Sequence, residues 1–198
     1  MSKSIAVALL LVTGLLLGVA AALIAPKPEA KQTIEWLDNP RSLADFSLVS
    51  ETGDFGSQSL LGHWTILLFG FLHCPDICPT SLSELATVAS RLAEIPIDEE
   101  VGYVFVSVDP GRDTPNQIGH YVRSFSPSIK GVTGTDEQLQ ILASNLGIQF
   151  KVSTDADNYS VSHSITYSII DPNGNLRARF RPGVSVAELV ENLVPHLL

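Results

Sequence analysis

Residues 71–80 read Phe-Leu-His-Cys-Pro-Asp-Ile-Cys-Pro-Thr and contain both cysteines of the chain, Cys74 and Cys78. They follow directly on an apolar run over residues 64–71, which is typical of a fully buried strand. Pro79 comes next, and proline is favoured as the first residue of a helix. The stretch therefore predicts a buried strand, a cysteine-bearing loop and a helix, with two thiols at the carboxyl end of the strand.

The four-residue spacing of the cysteines allows either a disulfide or a shared metal ion, because residues four apart on one turn lie close together. A helix running through both would set Pro79 against the carbonyl group of Pro75, a contact that breaks helices. We therefore expect a tight loop from Cys74 to Cys78, with Cys78 at the N-cap of the helix. The positive end of the helix dipole favours a thiolate there, the form that attacks disulfides and binds metals.

Beyond this stretch, predicted strands and helices alternate. Thr114, Thr135 and Ser185 each stand three residues before Gln or Glu, the signature of a capped helix start. Residues 171–175, Asp-Pro-Asn-Gly-Asn, form a strong turn signal, and residues 153–162 predict a long polar loop. The patterns predict strands over residues 46–49, 65–72, 103–108, 149–152, 166–170 and 176–181, and helices over residues 79–93, 115–125, 136–146 and 186–193.

The order of these elements predicts an α/β fold. A βαβ start with mainly parallel strands, followed by an antiparallel hairpin and a final helix, is the thioredoxin-like order. In open α/β sheets ligands bind beyond the carboxyl ends of the strands. Both Cys74 and Asp109 follow predicted strands there, so this edge of the sheet is the expected site of chemistry.

The N-terminal residues 1–25 predict a membrane anchor. Residues 5–25 contain no charged side chain, and about 20 apolar residues in a helix span a bilayer. A cleaved signal peptide usually has an apolar stretch of only about 7–15 residues, although the small residues 20–22 keep cleavage open as the alternative. The sequence thus favours a single uncleaved transmembrane helix that meets the membrane through residues 5–25.

The charges around the anchor predict where the rest of the chain lies. Lys3 precedes the span while Lys27 and Lys31 follow it, so the positive-inside rule gives only a weak indication. We expect the N-terminus inside and the folded body outside. No arginine precedes Arg41, which disfavours a mitochondrial transit peptide. The expected location is a bacterial inner membrane, with the C-terminal domain in the periplasm.

The remaining residues predict a short tether over 26–40 and one domain over 41–198, a length within the usual range for a single core. The formal net charge of the whole chain is −9 at pH 7. An acidic surface repels nucleic acid, so nucleic acid is excluded as an expected partner.

A third group is needed to decide between redox and metal chemistry, and the chain has five histidines. His73 adjoins Cys74, but adjacent residues on a strand point to opposite faces, so we do not expect it in the same site. His163 stands at the end of the predicted polar loop, and loops that bring a residue to the rim of a sheet often carry function. We expect surface positions for the other three, His63, His120 and His196.

Two thiolates and one imidazole suit a soft metal ion, since thiolate selects Cu(I) and imidazole accepts either oxidation state of copper. Structural zinc normally takes four protein ligands, and the chain has no second cysteine pair. The sole methionine is Met1, which excludes a thioether-lined copper site. On the residues alone, thiol exchange and metal binding both remain open.

Three blocks of sequence resemble the Sco/SenC proteins, membrane-anchored thioredoxin-fold copper chaperones of cytochrome c oxidase assembly. Residues 69–80 read Phe-Gly-Phe-Leu-His-Cys-Pro-Asp-Ile-Cys-Pro-Thr, and residues 108–115 read Val-Asp-Pro-Gly-Arg-Asp-Thr-Pro. The third block is His163-Ser164 with residues 167–174, Tyr-Ser-Ile-Ile-Asp-Pro-Asn-Gly. The order and spacing of the blocks are highly specific, and the resemblance runs from about residue 44 to the C-terminus.

The resemblance implies a copper site and its ligands. Cys74, Cys78 and His163 would bind Cu(I) or Cu(II), the two cysteines would also form the redox disulfide, and Asp109 would support the ligands from behind. Many relatives carry aspartate directly before the ligand histidine, where this chain has Ser162. An aspartate there could orient the imidazole, so copper affinity or redox poise is expected to depart from the usual family behaviour.

The family resemblance predicts a copper metallochaperone rather than an enzyme, delivering copper to the binuclear copper centre of a cytochrome c oxidase subunit. The alternative is a thiol-disulfide oxidoreductase that reduces the cysteines of the apo-oxidase subunit through Cys74 and Cys78. Other periplasmic copper or thiol-redox proteins are further expected partners. Peroxide reduction is disfavoured, because the threonine usually found three residues before a peroxidatic cysteine is replaced by Phe71 and Pro75.

Overall fold

A computed structural model of the chain describes residues 11–14, 33–155 and 158–198. Its strands are β1 (Glu35–Ser42), β2 (Ser47–Ser50), β3 (Gly53–Gly56), β4 (Trp64–Gly70), β5 (Val101–Ser107), β6 (Ile129–Thr133), β7 (Phe150–Asp155), β8 (Asn158–His163), β9 (Tyr167–Ile170) and β10 (Asn175–Phe180). Its helices are α1 (Ile77–Ala93), α2 (Pro115–Arg123), α3 (Asp136–Leu146) and α4 (Val186–Leu197), with a short 3-10 helix over Ser57–Leu60.

An eight-stranded sheet in the order β1-β10-β9-β4-β5-β6-β2-β3 forms the centre of the domain. β4, β5 and β6 run parallel, and β9 pairs antiparallel with β4. β4 is buried along its whole length, because Ile66 and Leu68 face one hydrophobic cluster and Leu67 and Phe69 face the other. The expected α/β thioredoxin-like architecture is confirmed.

Helices cover both faces of the sheet. Apolar residues of α1, α2 and α4 join the cluster on one face, whereas those of α3 join the cluster on the other. The caps predicted at Thr114, Thr135 and Ser185 are confirmed, since each side chain accepts a hydrogen bond from the backbone N–H three residues on. The parallel strands and their helices thus direct the carboxyl ends of β4 and β5 to one edge.

Two segments differ from the sequence-based expectation. Residues 153–155 and 158–162, expected in a polar loop, belong to the antiparallel strands β7 and β8, which form their own two-stranded sheet. Its alternating Ser, Thr and Val residues are compatible with a strand that has one face in solvent. Residues 35–40, expected in the tether, belong to β1, which pairs with β10. The folded domain therefore starts before residue 41.

The predicted anchor over residues 5–25 lies mostly outside the described residues, and residues 11–14 of it are helical. Among the helices in the described part of the chain, none has the length and apolar character needed to cross a membrane.

Candidate metal centre

The two cysteines lie where β4 passes into α1. The helix begins at Ile77 with Asp76 as its N-cap, so the expected start at Pro79 with Cys78 as the N-cap is wrong. Pro79 fits inside the first turn because the N–H groups there have no partner within the helix. Pro75 lies before the helix, so the clash that argued against an earlier start does not arise.

Cys78 and Cys74 differ in exposure. Cys78 is only 2% exposed, whereas Cys74 is half-buried, and both are free thiols. The backbone N–H of Cys78 points at the Sγ of Cys74 at 3.4 Å. One thiol is therefore enclosed in the protein, and the other lies beside it within reach of solvent.

Burial decides the protonation of Cys78. Desolvation raises the pKa of this thiol from 9.0 to about 12, and the neighbouring Cys74 and the charge of Asp113 act in the same direction. The expectation that the helix terminus would favour a thiolate at Cys78 is therefore wrong for the metal-free protein. The neutral thiol needs a compensating cation to lose its proton.

His163 is the last residue of β8, and its ring reaches Cys78. The Nε2 atom lies 3.8 Å from the Cys78 Sγ, and the Nδ1 atom lies 3.1 Å from the backbone oxygen of Ser164. A carbonyl oxygen only accepts, so Nδ1 carries the proton and Nε2 presents its lone pair to the thiol. Burial lowers the pKa of His163, which favours the neutral imidazole that binds metals.

The distance between Cys78 and His163 fits two ligands of one ion. Metal–sulfur and metal–nitrogen bonds of about 2.3 and 2.0 Å, at tetrahedral to trigonal angles, set the two ligand atoms roughly 3.5–3.8 Å apart. The separation of 3.8 Å falls in that range. The ring of Phe71 packs edge-on against His163, with 5.9 Å between the ring centres. The imidazole is thus enclosed on one side by an apolar ring.

Gly70 gives the Cys78 thiol its room. A Cβ at this position would lie 2.5 Å from the ring of Phe105 and 3.1 Å from the Sγ of Cys78. Gly70 was not predicted as a functional position, although a glycine within a strand often marks a close approach by another group.

Asp109 is fully buried, but its carboxylate serves a different contact from the one expected. Its Oδ2 atom accepts from the Nε of Arg112 at 2.6 Å, and its Oδ1 atom accepts a short hydrogen bond from the hydroxyl of Tyr159. The guanidinium of Arg112 also stacks on the Tyr159 ring, 3.9 Å from its centre. Asp109 therefore binds the hairpin of β7 and β8.

Asp113 supports the cysteine loop instead. Its Oδ2 atom accepts from the backbone N–H of Leu72 at 2.9 Å and from the hydroxyl of Ser107 at 2.5 Å. The sequence did not reveal this role of Asp113, because the contact with Leu72 joins residues far apart in the chain. Buried at 1% exposure, it fixes the start of the loop that carries the thiols.

His73 faces Asp113, with its Nδ1 3.6 Å from Oδ1 of that carboxylate. Residue 73 lies in the loop after β4, so the strand argument used to exclude it does not apply. With Asp109 and Asp113 it forms a cluster of potential metal ligands within 4.8 Å, in which both oxygens of Asp109 already have partners.

The remaining histidines lie on other parts of the domain. The His196 ring stacks on Trp36 with 3.9 Å between ring centres, His63 lies next to the backbone oxygen of Leu61, and His120 is an exposed residue of α2. The structure thus places Cys78 beside both Cys74 and His163, whereas Cys74, Cys78 and His163, all within the described part of the chain, do not form a group whose ligand atoms all lie within 4.8 Å of one another.

Comparisons with known proteins identify a matching family. A family model described as SCO1/SenC matches residues 36–197. A SCO2-like protein of Rickettsia prowazekii is 34% identical over 193 residues, covering 92% of this chain and 93% of its own.

Two solved structures are also similar. Arabidopsis thaliana ScoI with copper bound is 36% identical, with a TM-score of 0.70 over 77% of this chain and 95% of its own. Yeast Sco1 with copper bound is 30% identical, with a TM-score of 0.71 over 79% of this chain and 88% of its own.

Proposed function

The chain belongs to the SCO1/SenC family, and on that premise we propose that it binds copper through Cys74, Cys78 and His163. The observation that carries the proposal is the approach of the His163 Nε2 to within 3.8 Å of the Cys78 Sγ, with the lone pair of that nitrogen directed at the thiol. Two family members, from Arabidopsis and yeast, have been solved with copper bound.

The ligand set supports copper in either oxidation state. Thiolate is a soft ligand that selects Cu(I), and imidazole is compatible with both states. With two thiolates and a neutral imidazole, the bound ion leaves the site neutral as Cu(II) and singly negative as Cu(I). Because the net charge of the site stays low with either copper ion, the site is suited to binding copper reversibly.

The role that follows is a membrane-anchored copper metallochaperone, which delivers copper to the binuclear centre of a cytochrome c oxidase subunit. The oxidase partner rests on the family resemblance. The unequal exposure of the thiols supports transfer: the half-buried Cys74 is open to an incoming ligand, while the buried Cys78 holds the ion from behind. The predicted anchor would place this domain at the periplasmic face of a bacterial inner membrane, beside an oxidase.

Copper titration of the reduced full chain tests the ligand assignment. Wild type and His163→Ala are titrated side by side with free thiols counted, and His120→Ala, an exposed histidine on α2, serves as the matched control. We expect weaker copper binding in His163→Ala with the same thiol count. Equal affinity in all three proteins would show that His163 is not a ligand.

A second function, thiol–disulfide exchange, is favoured by the neighbouring free thiols. Cys74 is the accessible nucleophile and Cys78 lies beside it. Attack of Cys74 on a disulfide of the apo-oxidase subunit gives a mixed disulfide, which Cys78 resolves, so that two electrons and two protons pass to the target. This activity needs both cysteines but not His163. Normal oxidase assembly in His163→Ala, with assembly lost in Cys78→Ser, would favour it over copper delivery.

A further inference from the structure

The hairpin of β7 and β8 carries His163 but stands outside the eight-stranded sheet. A two-stranded hairpin is marginally stable on its own, so its orientation depends on contacts with the rest of the domain. Those contacts determine where the His163 ring lies relative to Cys78. They are therefore part of the metal site although they touch no ligand atom.

Three side chains of β8 point toward the domain. Tyr159, Val161 and His163 alternate along the strand and so share one face. Val161 packs against a hydrophobic core cluster, His163 reaches Cys78, and Tyr159 donates to the buried carboxylate of Asp109. The hairpin is thus held at its middle and at both ends, with roughly 13 Å of strand between Tyr159 and His163.

The contact at Tyr159 is built as a clasp, which we define as Tyr159, Asp109 and Arg112. Asp109 follows β5, a strand of the central sheet, and is fully buried. Its two oxygens are divided between the partners, Oδ1 to Tyr159 and Oδ2 to Arg112, and the guanidinium returns to stack on the Tyr159 ring. Hydrogen bonds to a charged partner are among the stronger ones in proteins. The hydrogen bond to Asp109 also raises the pKa of Tyr159, which keeps the donor protonated.

We propose that Tyr159 is a positioning residue of the metal site, which through the clasp holds the β7–β8 hairpin so that His163 meets Cys78. Val161 is the middle contact of this face, and release of the Tyr159 end lets the strand pivot about it. The other end then moves, and the imidazole no longer stays over the thiol. The inference rests on the proposed function, because it assumes that His163 binds copper.

A double-mutant cycle between Tyr159 and His163 tests the inference. The full chain is prepared in detergent as wild type, Tyr159→Phe, His163→Ala and the double variant. Tyr159→Phe removes only the hydroxyl and keeps the ring for Arg112. Ser160→Ala, an exposed position on the opposite face of the same strand, is the matched control. The dissociation constant for Cu(I) is measured without oxygen by competition with a coloured chelator.

We expect Tyr159→Phe to weaken Cu(I) binding about tenfold, the scale typical for partners that orient metal ligands. Ser160→Ala should leave it unchanged. In the His163→Ala background the same substitution should have no further effect, because the ligand that Tyr159 positions is already gone. Relaxation-dispersion NMR of the copper-free Tyr159→Phe protein should show new exchange on the microsecond–millisecond scale in β8.

Three outcomes would overturn the inference. Unchanged Cu(I) affinity in Tyr159→Phe, with His163→Ala weakened, removes the positioning role and leaves the copper site standing. An equal loss in both backgrounds shows that Tyr159 acts on general stability instead of through His163. Unchanged affinity in His163→Ala overturns both the inference and the ligand assignment on which it rests.

Discussion

The thiol half and the imidazole half of the candidate metal centre are anchored in the domain in different ways. Cys78 lies at 2% exposure in the first turn of α1, a helix whose apolar residues are part of the main core. His163 ends a strand of a separate two-stranded sheet, and its position depends on backbone contacts at the base of the hairpin and on side-chain contacts with the domain. One half is therefore part of the core, and the other is attached to it.

This difference suggests how the site holds an ion and yet releases it. In the thiol half, Cys78 is fixed by its helix, which cannot shift without disturbing the core. We expect the imidazole half to move more readily, because its hairpin can shift while the pairing within β7 and β8 stays intact. We therefore expect substitutions in the first half to affect copper binding and stability together, and those in the second half to affect copper binding alone.

The largest effect is expected from Cys78→Ser. Copper affinity should fall by more than the roughly 100-fold that marks the upper range for outer partners of metal ligands. Stability should fall by about 1–3 kcal/mol, because a buried hydroxyl needs a hydrogen-bond partner that a thiol does not. Copper titration and urea unfolding measure the two. Cys74→Ser, at the half-buried thiol, should also lose copper binding but should be destabilised less than Cys78→Ser. A Cys74→Ser protein less stable than Cys78→Ser would contradict the comparison.

His163→Ala should come next. Its copper affinity should fall by at least the roughly 10- to 100-fold seen for outer partners, while urea unfolding of the copper-free protein stays close to wild type. The reason is that the half-buried ring belongs to the attached hairpin. His120→Ala serves as control for loss of a surface imidazole. A stability loss as large as that of Cys78→Ser would mean that the hairpin belongs to the core.

The thiol half and the imidazole half should also differ in how they contribute to the pH dependence of copper binding. Because the pKa of Cys78 is raised to about 12, its thiol is protonated at neutral pH and must release the proton when it binds copper. That proton makes the affinity rise about tenfold per pH unit. His163, whose pKa is lowered, is already neutral and adds no such dependence.

Titration of wild type and Cys78→Ser between pH 6.5 and 8.5 measures this contribution. The slope of the logarithm of affinity against pH should be smaller by about one in Cys78→Ser, since one proton is no longer released. His163→Ala provides the comparison and should keep the wild-type slope. Equal slopes for wild type and Cys78→Ser would show that the released proton does not come from Cys78.

Gly70→Ala should lower the copper affinity severalfold and should also lower the stability of the domain. The new methyl group meets the Phe105 ring and the Cys78 thiol, and overpacking of this kind costs about 1–3 kcal/mol. Gly102→Ala, in the adjacent strand β5, is the matched control. A Cβ there would lie 3.1 Å from the ring of His63, a side chain that can move aside. The account fails here if both variants are equally stable and bind copper alike.

The smallest effect is expected from Ser162→Asp, which introduces the aspartate that the family resemblance led us to expect before His163. Ser162 is exposed and pairs with Lys151 on β7, and its side chain points away from the face that carries His163. The imidazole is oriented by the backbone oxygen of Ser164 instead. Copper titration should show little change, with Ser160→Asp as control for the added charge. A gain in affinity specific to Ser162→Asp would show that the hairpin face turns toward the ligand.

The thiol half could be predicted from local sequence to a large extent. The apolar run of β4 and the cysteines beyond it specify a strand end and a helix start, and the capping residues elsewhere are equally local signals. The helix start was wrong by two residues, because the first turn tolerates a proline at Pro79. The protonation of Cys78 was wrong because burial, which depends on the whole fold, outweighs the helix dipole.

The imidazole half could not be predicted from local sequence. The polar residues 153–162 resemble a loop as much as a solvent-facing strand. The sequence indicated His163 as the candidate third group, and its role as a ligand followed from the family resemblance. The contacts that hold the hairpin join residues far apart in the chain, as Tyr159 and Asp109 do. Such pairs depend on packing that no short pattern encodes.

X-ray absorption at the copper edge of the copper-loaded full chain tests the central claim most directly, namely that both halves hold the ion. Wild type should show two sulfur neighbours and one nitrogen neighbour, and His163→Ala should keep the two sulfurs and lose the nitrogen. A wild-type spectrum with sulfur alone, or a nitrogen that persists in His163→Ala, would contradict the account.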